Sequence, residues 1–140
     1  MKVLKTFLAL LVTAMVFTAM PAGAHHSTAA FDETTVIKIT GKVTQVRWIN
    51  PHASFKVDGV SEGDWPDGLW TVEMTAANSL MRAGWKRTTL KEGDEITVFI
   101  YPLRNVITLN DGSQGGLYVG VITADGETLG RVDGKPARDR

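Results

Sequence analysis

Alternation of apolar and polar residues, in short segments separated by glycine and proline turns, constrains the fold of this chain most. In the clearest case Ala53, Phe55 and Val57 alternate with polar neighbours. Successive side chains of a β-strand point to opposite faces, so the pattern predicts strands with one buried and one solvated face. The predicted strands occupy residues 36–48, 52–57, 69–76, 95–101, 106–109 and 117–123.

The order of these segments predicts a small barrel. The one helical pattern, residues 76–83, follows the third strand, with Leu80 and Met81 facing inward and Gly84 where a C-terminal cap belongs. Gly93 and Asp94 then form a tight turn into an alternating strand. This order is typical of an all-β, five-stranded OB-like barrel with one short helix, and an open β-sandwich is the alternative.

Two glycine-containing regions allow predictions about the local backbone. The apolar parity of the first strand slips between Val43 and Val46, which predicts a bulge or sharp bend near Gly41. Residues 112–120 are rich in glycine but lack both the dinucleotide-binding spacing and a following helix. We therefore interpret them as a flexible hairpin loop.

The first 24 residues show the three zones of a secretory signal peptide. Lys2 and Lys5 precede an apolar run at residues 7–20, and Ala22 and Ala24 occupy the positions that signal peptidase inspects. We expect cleavage after Ala24, which leaves one OB-like domain at residues 25–132 and a polar tail at 133–140. The mature protein is then periplasmic or secreted, with no membrane span after cleavage.

Composition excludes several classes of site. The chain contains no cysteine, so disulfides, thiolate chemistry and cysteine-based metal centres are excluded. Without the two leader lysines, 13 basic and 15 acidic side chains remain, a net charge of about −2 with histidine neutral. This balance supplies no electrostatic reason to bind nucleic acid, and we expect no nucleic-acid partner.

The three histidines of the chain lie in two places. His25 and His26 follow the expected cleavage site directly, and His52 stands at the entry to the second predicted strand. Cleavage after Ala24 makes His25 the first residue, so its α-amine and imidazole can chelate one metal ion. His52 adds a third nitrogen donor, and His26 is a further candidate ligand. Nitrogen-rich, tetragonal coordination suits Cu(II), so copper is the expected metal.

Each histidine also has a simpler interpretation. A histidine after Asn-Pro is commonly a loop residue bonded to the backbone, and a terminal pair can be what signal peptidase leaves. Parity places His52 on the polar face with Ser54 and Lys56, which argues against a packed core histidine. Zinc is the competing metal, because three histidines and an open position form a catalytic zinc pattern. Asp32 or Glu33 is then a candidate base.

Residues near the strand-entry histidine complete the candidate site. Trp48 and Asn50 lie on the same connection, and Trp65 lies in a loop rich in proline, glycine and aspartate. We place these three at the border of the site and expect Trp65 to be exposed. Trp70 and Trp85 are expected in the core.

The motifs of the mature chain resemble those of a family of small exported bacterial proteins known only as a domain of unknown function. The resemblance rests on Ala24-His25-His26-Ser27, Asn50-Pro51-His52-Ala53, Asn78-Ser79-Leu80-Met81-Arg82-Ala83-Gly84-Trp85 and Gly93-Asp94. It spans most of the mature chain. The family carries no established activity, so the resemblance implies no function.

The residues together predict a periplasmic metal-binding protein that serves metal handling or redox support as a carrier rather than an enzyme. Its partners are a metal ion and an envelope protein. The alternative is a metal-free OB-like module that binds a partner protein, peptide or saccharide through Trp65 and the polar face of the second and third strands. An oxidative copper enzyme is less expected, because the mature chain leaves little room for an extended substrate surface.

Overall fold

Six strands, one short α-helix and one 3₁₀ turn form the part of the chain that the computed structural model describes, residues 28–105 and 108–137. The predicted signal peptide (residues 1–24), His25 and His26 lie outside these ranges, as does the end of the predicted tail. The elements in chain order are the 3₁₀ turn (Thr28–Ala30), β1 (Ile37–Arg47), β2 (Ser54–Ser61), β3 (Gly68–Glu73), α1 (Ala77–Arg82), β4 (Glu95–Pro102), β5 (Gln114–Ile122) and β6 (Thr128–Gly130).

Five of the strands close into a mixed barrel. Their order is β3-β2-β1-β4-β5, and β5 pairs in parallel with β3 to complete the ring. The other neighbours pair antiparallel, and β6 adds to β5 as an extra strand. The helix α1 lies between β3 and β4 in the chain. The prediction of an all-β, five-stranded barrel with one short helix is confirmed, and the sixth strand is an addition to it.

The core fills the inside of the ring, as the alternation predicts. Phe55 and Val57 of β2 and Val72 of β3 are almost completely buried. Trp70 and Trp85 are buried as well, so both are core residues as expected. Burying each large apolar side chain stabilises the fold by about 1.5–3 kcal/mol relative to leaving it exposed. In a chain without cysteine, this packing holds the barrel together.

The first strand bends where its parity slips, though not at Gly41 itself. The register between β1 and β2 shifts between Val43 and Gln45, which places the irregularity C-terminal to Gly41. Gly41 lies opposite Gly59, and a Cβ atom on Gly41 would lie 2.2 Å from the carbonyl oxygen of Asp58. The glycine pair therefore allows the two backbones to approach closely, and the bulge beside it curls β1 around the barrel.

The helix ends in the predicted glycine cap. Gly84 adopts a φ of +94°, its N–H donates to the carbonyl of Met81, and the N–H of Trp85 donates to the carbonyl of Leu80. These two bonds form a Schellman motif. Ala77 and Leu80 are buried, but Met81 is 52% exposed, so the prediction that Met81 faces inward is wrong. A helix of only six residues turns one narrow stripe toward the barrel.

From Gln114 on, the glycine-rich region belongs to β5, which corrects the prediction of a flexible loop over residues 112–120 and agrees with the strand predicted at 117–123. Gly115 and Gly116 belong to β5, and a Cβ atom on them would lie 2.5 Å from Leu103 Cδ1 and 2.4 Å from Ile100 Cδ1 respectively. Glycine here permits close packing rather than flexibility. The strand expected at 106–109 is not formed at residues 108 and 109, and residues 106 and 107 lie outside the described ranges.

Candidate functional site

His52 lies on the connection between β1 and β2, at the point where the chain joins the sheet. The connection contains a cis peptide bond between Asn50 and Pro51. The N–H of Ala53 donates to the carbonyl of Thr75 over 3.1 Å, and the N–H of Met74 donates to the carbonyl of Ala53 over 2.8 Å. These bonds extend the β2–β3 pairing past the ends of both strands. The backbone next to His52 is therefore fixed.

The imidazole of His52 is oriented by two oxygen atoms. Its Nδ1 atom lies 3.3 Å from the carbonyl oxygen of Met74 and 3.4 Å from Oε1 of Glu73. The Met74 carbonyl oxygen is in hydrogen-bonding distance of Nδ1, and Glu73 Oε1 is in ion-pair distance of the same atom. Because both oxygens are acceptors, this surrounding favours the tautomer of the neutral ring with its proton on Nδ1 and its lone pair on Nε2. The side chain of His52 is 31% exposed, whereas the Nε2 atom itself is shielded from solvent.

Glu73 reaches this position because of the strand register. Ser54 pairs with Glu73 across β2 and β3, and Glu73 therefore lies on the outer face together with the ring of His52. A carboxylate and a backbone carbonyl on the second nitrogen of an imidazole are the usual outer-sphere partners of a metal-binding histidine. The arrangement is suited to a histidine that binds a metal ion through Nε2.

The described chain begins beside the end of β4. The N–H of Arg104 donates to the carbonyl of Ala30 over 2.9 Å, and the N–H of Asp32 donates to the carbonyl of Pro102 over 2.8 Å. Phe31 forms an isolated bridge with Leu103 and is 8% exposed. The predicted ligands His25 and His26 precede this anchored segment and lie outside the described residues.

A series of cross-strand pairs leads from the end of β4, next to this anchor, to the start of β2. Pro102 pairs with Gly116 of β5, Gly116 pairs with Val72 of β3, and Val72 pairs with Phe55 of β2. Phe55 follows His52 by three residues. Around this side of the barrel, three strand steps and a short length of β2 separate Pro102, to which the anchor is bonded, from His52.

Asp32 is engaged within the anchor. Its carboxylate accepts hydrogen bonds from the hydroxyl of Thr34 over 2.6 Å, the hydroxyl of Thr35 over 2.8 Å and the N–H of Thr34 over 3.1 Å. These hydrogen bonds lower the pKa of the Asp32 carboxyl group from 3.8 to about 2, and the bond from the Thr34 hydroxyl has the largest effect. A general base works best with a pKa near the working pH, so this geometry favours a structural role for Asp32 over the role of a base.

The three residues placed at the border of the site have defined contacts. Trp48 is partly buried against the core. The side chain of Asn50 accepts a hydrogen bond of 3.1 Å from the N–H of Ala77, one of the N–H groups that α1 cannot satisfy internally. Asn50 therefore caps α1 from another segment and ties the connection that carries His52 to the helix.

Trp65 is partly buried against the core rather than exposed, which corrects its predicted position. The surrounding loop folds back onto the end of the barrel. The carbonyl of Pro66 accepts hydrogen bonds from Ser61 Oγ over 3.0 Å and from Trp70 Nε1 over 3.2 Å, and Asp67 Oδ1 accepts one from the N–H of Ser61 over 2.8 Å. The composition of the loop predicted an exposed segment, but it did not predict these hydrogen bonds to the barrel.

A short segment before β5, residues 109–113, lies on the outer face of β2 and β3, and we name it the strap. Lys56 Nζ lies 2.6 Å from Asp111 Oδ2, and the hydroxyls of Thr71 and Ser113 are 2.7 Å apart. Ser113 is fully buried. The hydrogen bond from Lys56 contributes most to holding the pKa of Asp111 well below its usual range. The sequence indicated a flexible hairpin loop from residue 112 but not the face that it covers.

Within residues 28–105 and 108–137, no group of three or more histidine, aspartate or glutamate side chains is placed to hold a metal ion. His52 and Glu73 form a pair there, and the further ligands that the sequence suggested belong to the region before residue 28. In the same ranges no helix has the length and apolar character needed to cross a membrane.

Comparison with known proteins gives one match. Residues 13–116 match the model of a protein family described as "Family of unknown function (DUF6152)". No curated protein and no solved structure shows a significant match to the chain.

Proposed function

The chain belongs to this family of unknown function, DUF6152, and from that premise we propose that it is an exported metal-binding protein whose site contains His52. The further ligands are His25 and, as an additional donor, His26, with copper as the metal. The protein serves metal handling or redox support as a carrier, in the periplasm or outside the cell. Its second partner is an envelope protein that delivers or accepts the ion.

The orientation of His52 carries this proposal. The Glu73 carboxylate and the Met74 carbonyl both face Nδ1, at 3.4 and 3.3 Å. With its proton on Nδ1, the neutral ring would bind a metal ion through Nε2, and a carboxylate near Nδ1 makes the imidazole a stronger ligand.

The donor set favours copper over zinc. A terminal amine and two or three imidazoles are all nitrogen donors, which suit the tetragonal coordination of Cu(II), and copper also heads the affinity order of the divalent ions. The carboxylate near the site, Glu73, is directed at the ring of His52. Zinc remains the competing ion in the test.

Native mass spectrometry of the protein purified from the periplasm, with the N-terminal residue read from the same sample, tests the proposal. We expect a chain that begins at His25 and carries one copper ion. The His52→Ala variant should lose more affinity than the roughly 10–100-fold typical of losing an outer-sphere partner. Ser54→Ala, on the same face of β2, is the matched control and should bind as the unchanged protein does.

Two results would overturn the shared site: a chain beginning at His25 that stays metal-free when copper is offered, or a His52→Ala variant with full copper affinity. The first would direct attention to the metal-free module that binds a partner protein, peptide or saccharide. The strap covers part of the face that such a module would use, because Lys56 and Thr71 already contact Asp111 and Ser113.

A further inference from the structure

The connection from the end of α1 to β4 concentrates positive charge. Its basic residues are Arg82, Lys86, Arg87 and Lys91, all of them exposed. No acidic residue occurs between Glu73 and Glu92. We name residues 81–91 the basic segment. It carries four positive charges on a mature chain whose expected net charge is about −2.

The basic segment is fixed to the barrel at regular intervals. Leu80 just before it, and Trp85 and Leu90 within it, are 2%, 4% and 4% exposed and belong to the core. Between the last two, Lys86 and Thr89 form a closed turn, in which the N–H of Thr89 donates to the carbonyl of Lys86 over 3.0 Å. Buried anchors thus hold the backbone while the basic side chains extend into solvent.

The basic side chains of this segment form no ion pairs within the described part of the chain. Among the described residues the ion pairs lie elsewhere on the barrel, and none contains a cation of this segment. Of its four basic side chains, only Arg82 has a side-chain hydrogen bond within the described part, to Ser79 Oγ. Next to Arg82, Met81 is 52% exposed, one of the few large apolar side chains on the described surface.

We propose that the basic segment is a docking surface for anionic phospholipid headgroups. Long cationic side chains that are not held in one geometry suit the diffuse field of a charged membrane surface. Exposed Met81 can enter the interfacial region beside the headgroups, which a purely electrostatic contact with a soluble polyanion does not require. Each basic residue close to such a surface raises partition by roughly fivefold.

Co-sedimentation with vesicles tests this surface. The purified protein, with its N-terminus verified so that chains retaining the apolar leader are excluded, is mixed with phosphatidylglycerol–phosphatidylcholine or pure phosphatidylcholine vesicles. We expect binding to the anionic vesicles at low salt and its loss at high salt, because the field is screened. The Lys86→Gln/Arg87→Gln variant should bind at least about tenfold more weakly.

Lys42→Gln/Lys135→Gln is the matched control, because it removes two exposed positive charges outside the basic segment. It should retain most of the binding, and circular dichroism should show that both variants fold. Equal binding to both vesicle types, insensitivity to salt, or equal losses in the two variants would overturn the proposal. Binding to polyglutamate with no binding to anionic vesicles would replace the lipid with an acidic protein partner.

Discussion

At His52 the contacts of Nδ1 determine which ring nitrogen carries the proton in the neutral imidazole. Nδ1 faces the carbonyl of Met74 and the carboxylate of Glu73, which favours the neutral tautomer with its lone pair on Nε2. Parity along β2 predicted that His52 lies on the polar face. The contact with Glu73 could not be predicted in the same way, because it depends on the register that pairs Ser54 with Glu73.

The first prediction concerns Glu73 and rests on the proposed copper site. Glu73→Ala should lower copper affinity by about 10–100-fold, because the ring of His52 loses an oxygen that orients it. Glu73→Gln keeps an acceptor oxygen and should lose less. A chelator competition titration measures this effect. Glu62→Ala, which removes the partner of Lys38 in another exposed ion pair, should leave affinity unchanged. Equal affinities for all of these proteins would contradict the role of Glu73.

At the scale of elements, the sequence predicted strands where apolar side chains alternate or follow one another. Alternation predicts β2 and β3 because their outer residues are polar. The C-terminal part of β5 was predicted as a strand at residues 117–123, whereas its first residues carry glycine where the neighbouring strands approach, and composition there indicated a loop. The space at Gly116 is occupied by Ile100, which is fully buried on β4. Such a contact depends on the register between β4 and β5.

Gly116→Ala should therefore destabilise the barrel by about 1–3 kcal/mol, because its Cβ atom would overlap Ile100 Cδ1. Ile100→Val removes that atom and should cost about 0.5–1.5 kcal/mol alone. The double variant should cost less than the sum of the two, since each change relieves the other. Urea unfolding followed by tryptophan fluorescence gives all three values. If the free-energy costs of the two single changes add strictly, the contact between Gly116 and Ile100 does not determine the destabilisation by Gly116→Ala.

At the scale of the whole molecule, the connection that carries His52 lies close to α1 and so to the basic segment. Asn50 links this connection to the start of α1, and the basic segment begins in the last turn of α1. A protein docked through the basic segment would therefore hold the connection of His52 close to the membrane surface. The sequence placed His52 and the four basic residues in separate regions; the cap by Asn50 and the backbone bonds between Ala53 and residues 74 and 75 bring these regions together.

Two segments packed outside the ring are held by carboxylates, which predicts how the molecule responds to acid. The Asp32 carboxylate, whose pKa is about 2, accepts the hydrogen bonds within the N-terminal anchor. The Asp111 carboxylate, whose pKa also lies below its usual range, holds the strap. A carboxylate whose pKa is lower in the folded state stabilises fully above the unfolded value of 3.8 and loses this contribution as the pH falls through the folded value. Both segments should loosen in acid before the apolar ring does.

Hydrogen-exchange protection factors, which are corrected for the intrinsic effect of pH, measure this loosening. From pH 5 to pH 2, protection at residues 28–35 and 109–113 should fall more than protection in β1 and β4. Asp111→Asn removes the ion pair with Lys56, so its strap should already be less protected at pH 7 and respond little to acid. The Asp32 anchor in that variant should titrate unchanged. A strap that keeps its protection at pH 2, or in Asp111→Asn at pH 7, would show that the buried hydroxyl of Ser113 and its bond to Thr71 hold it without the charge.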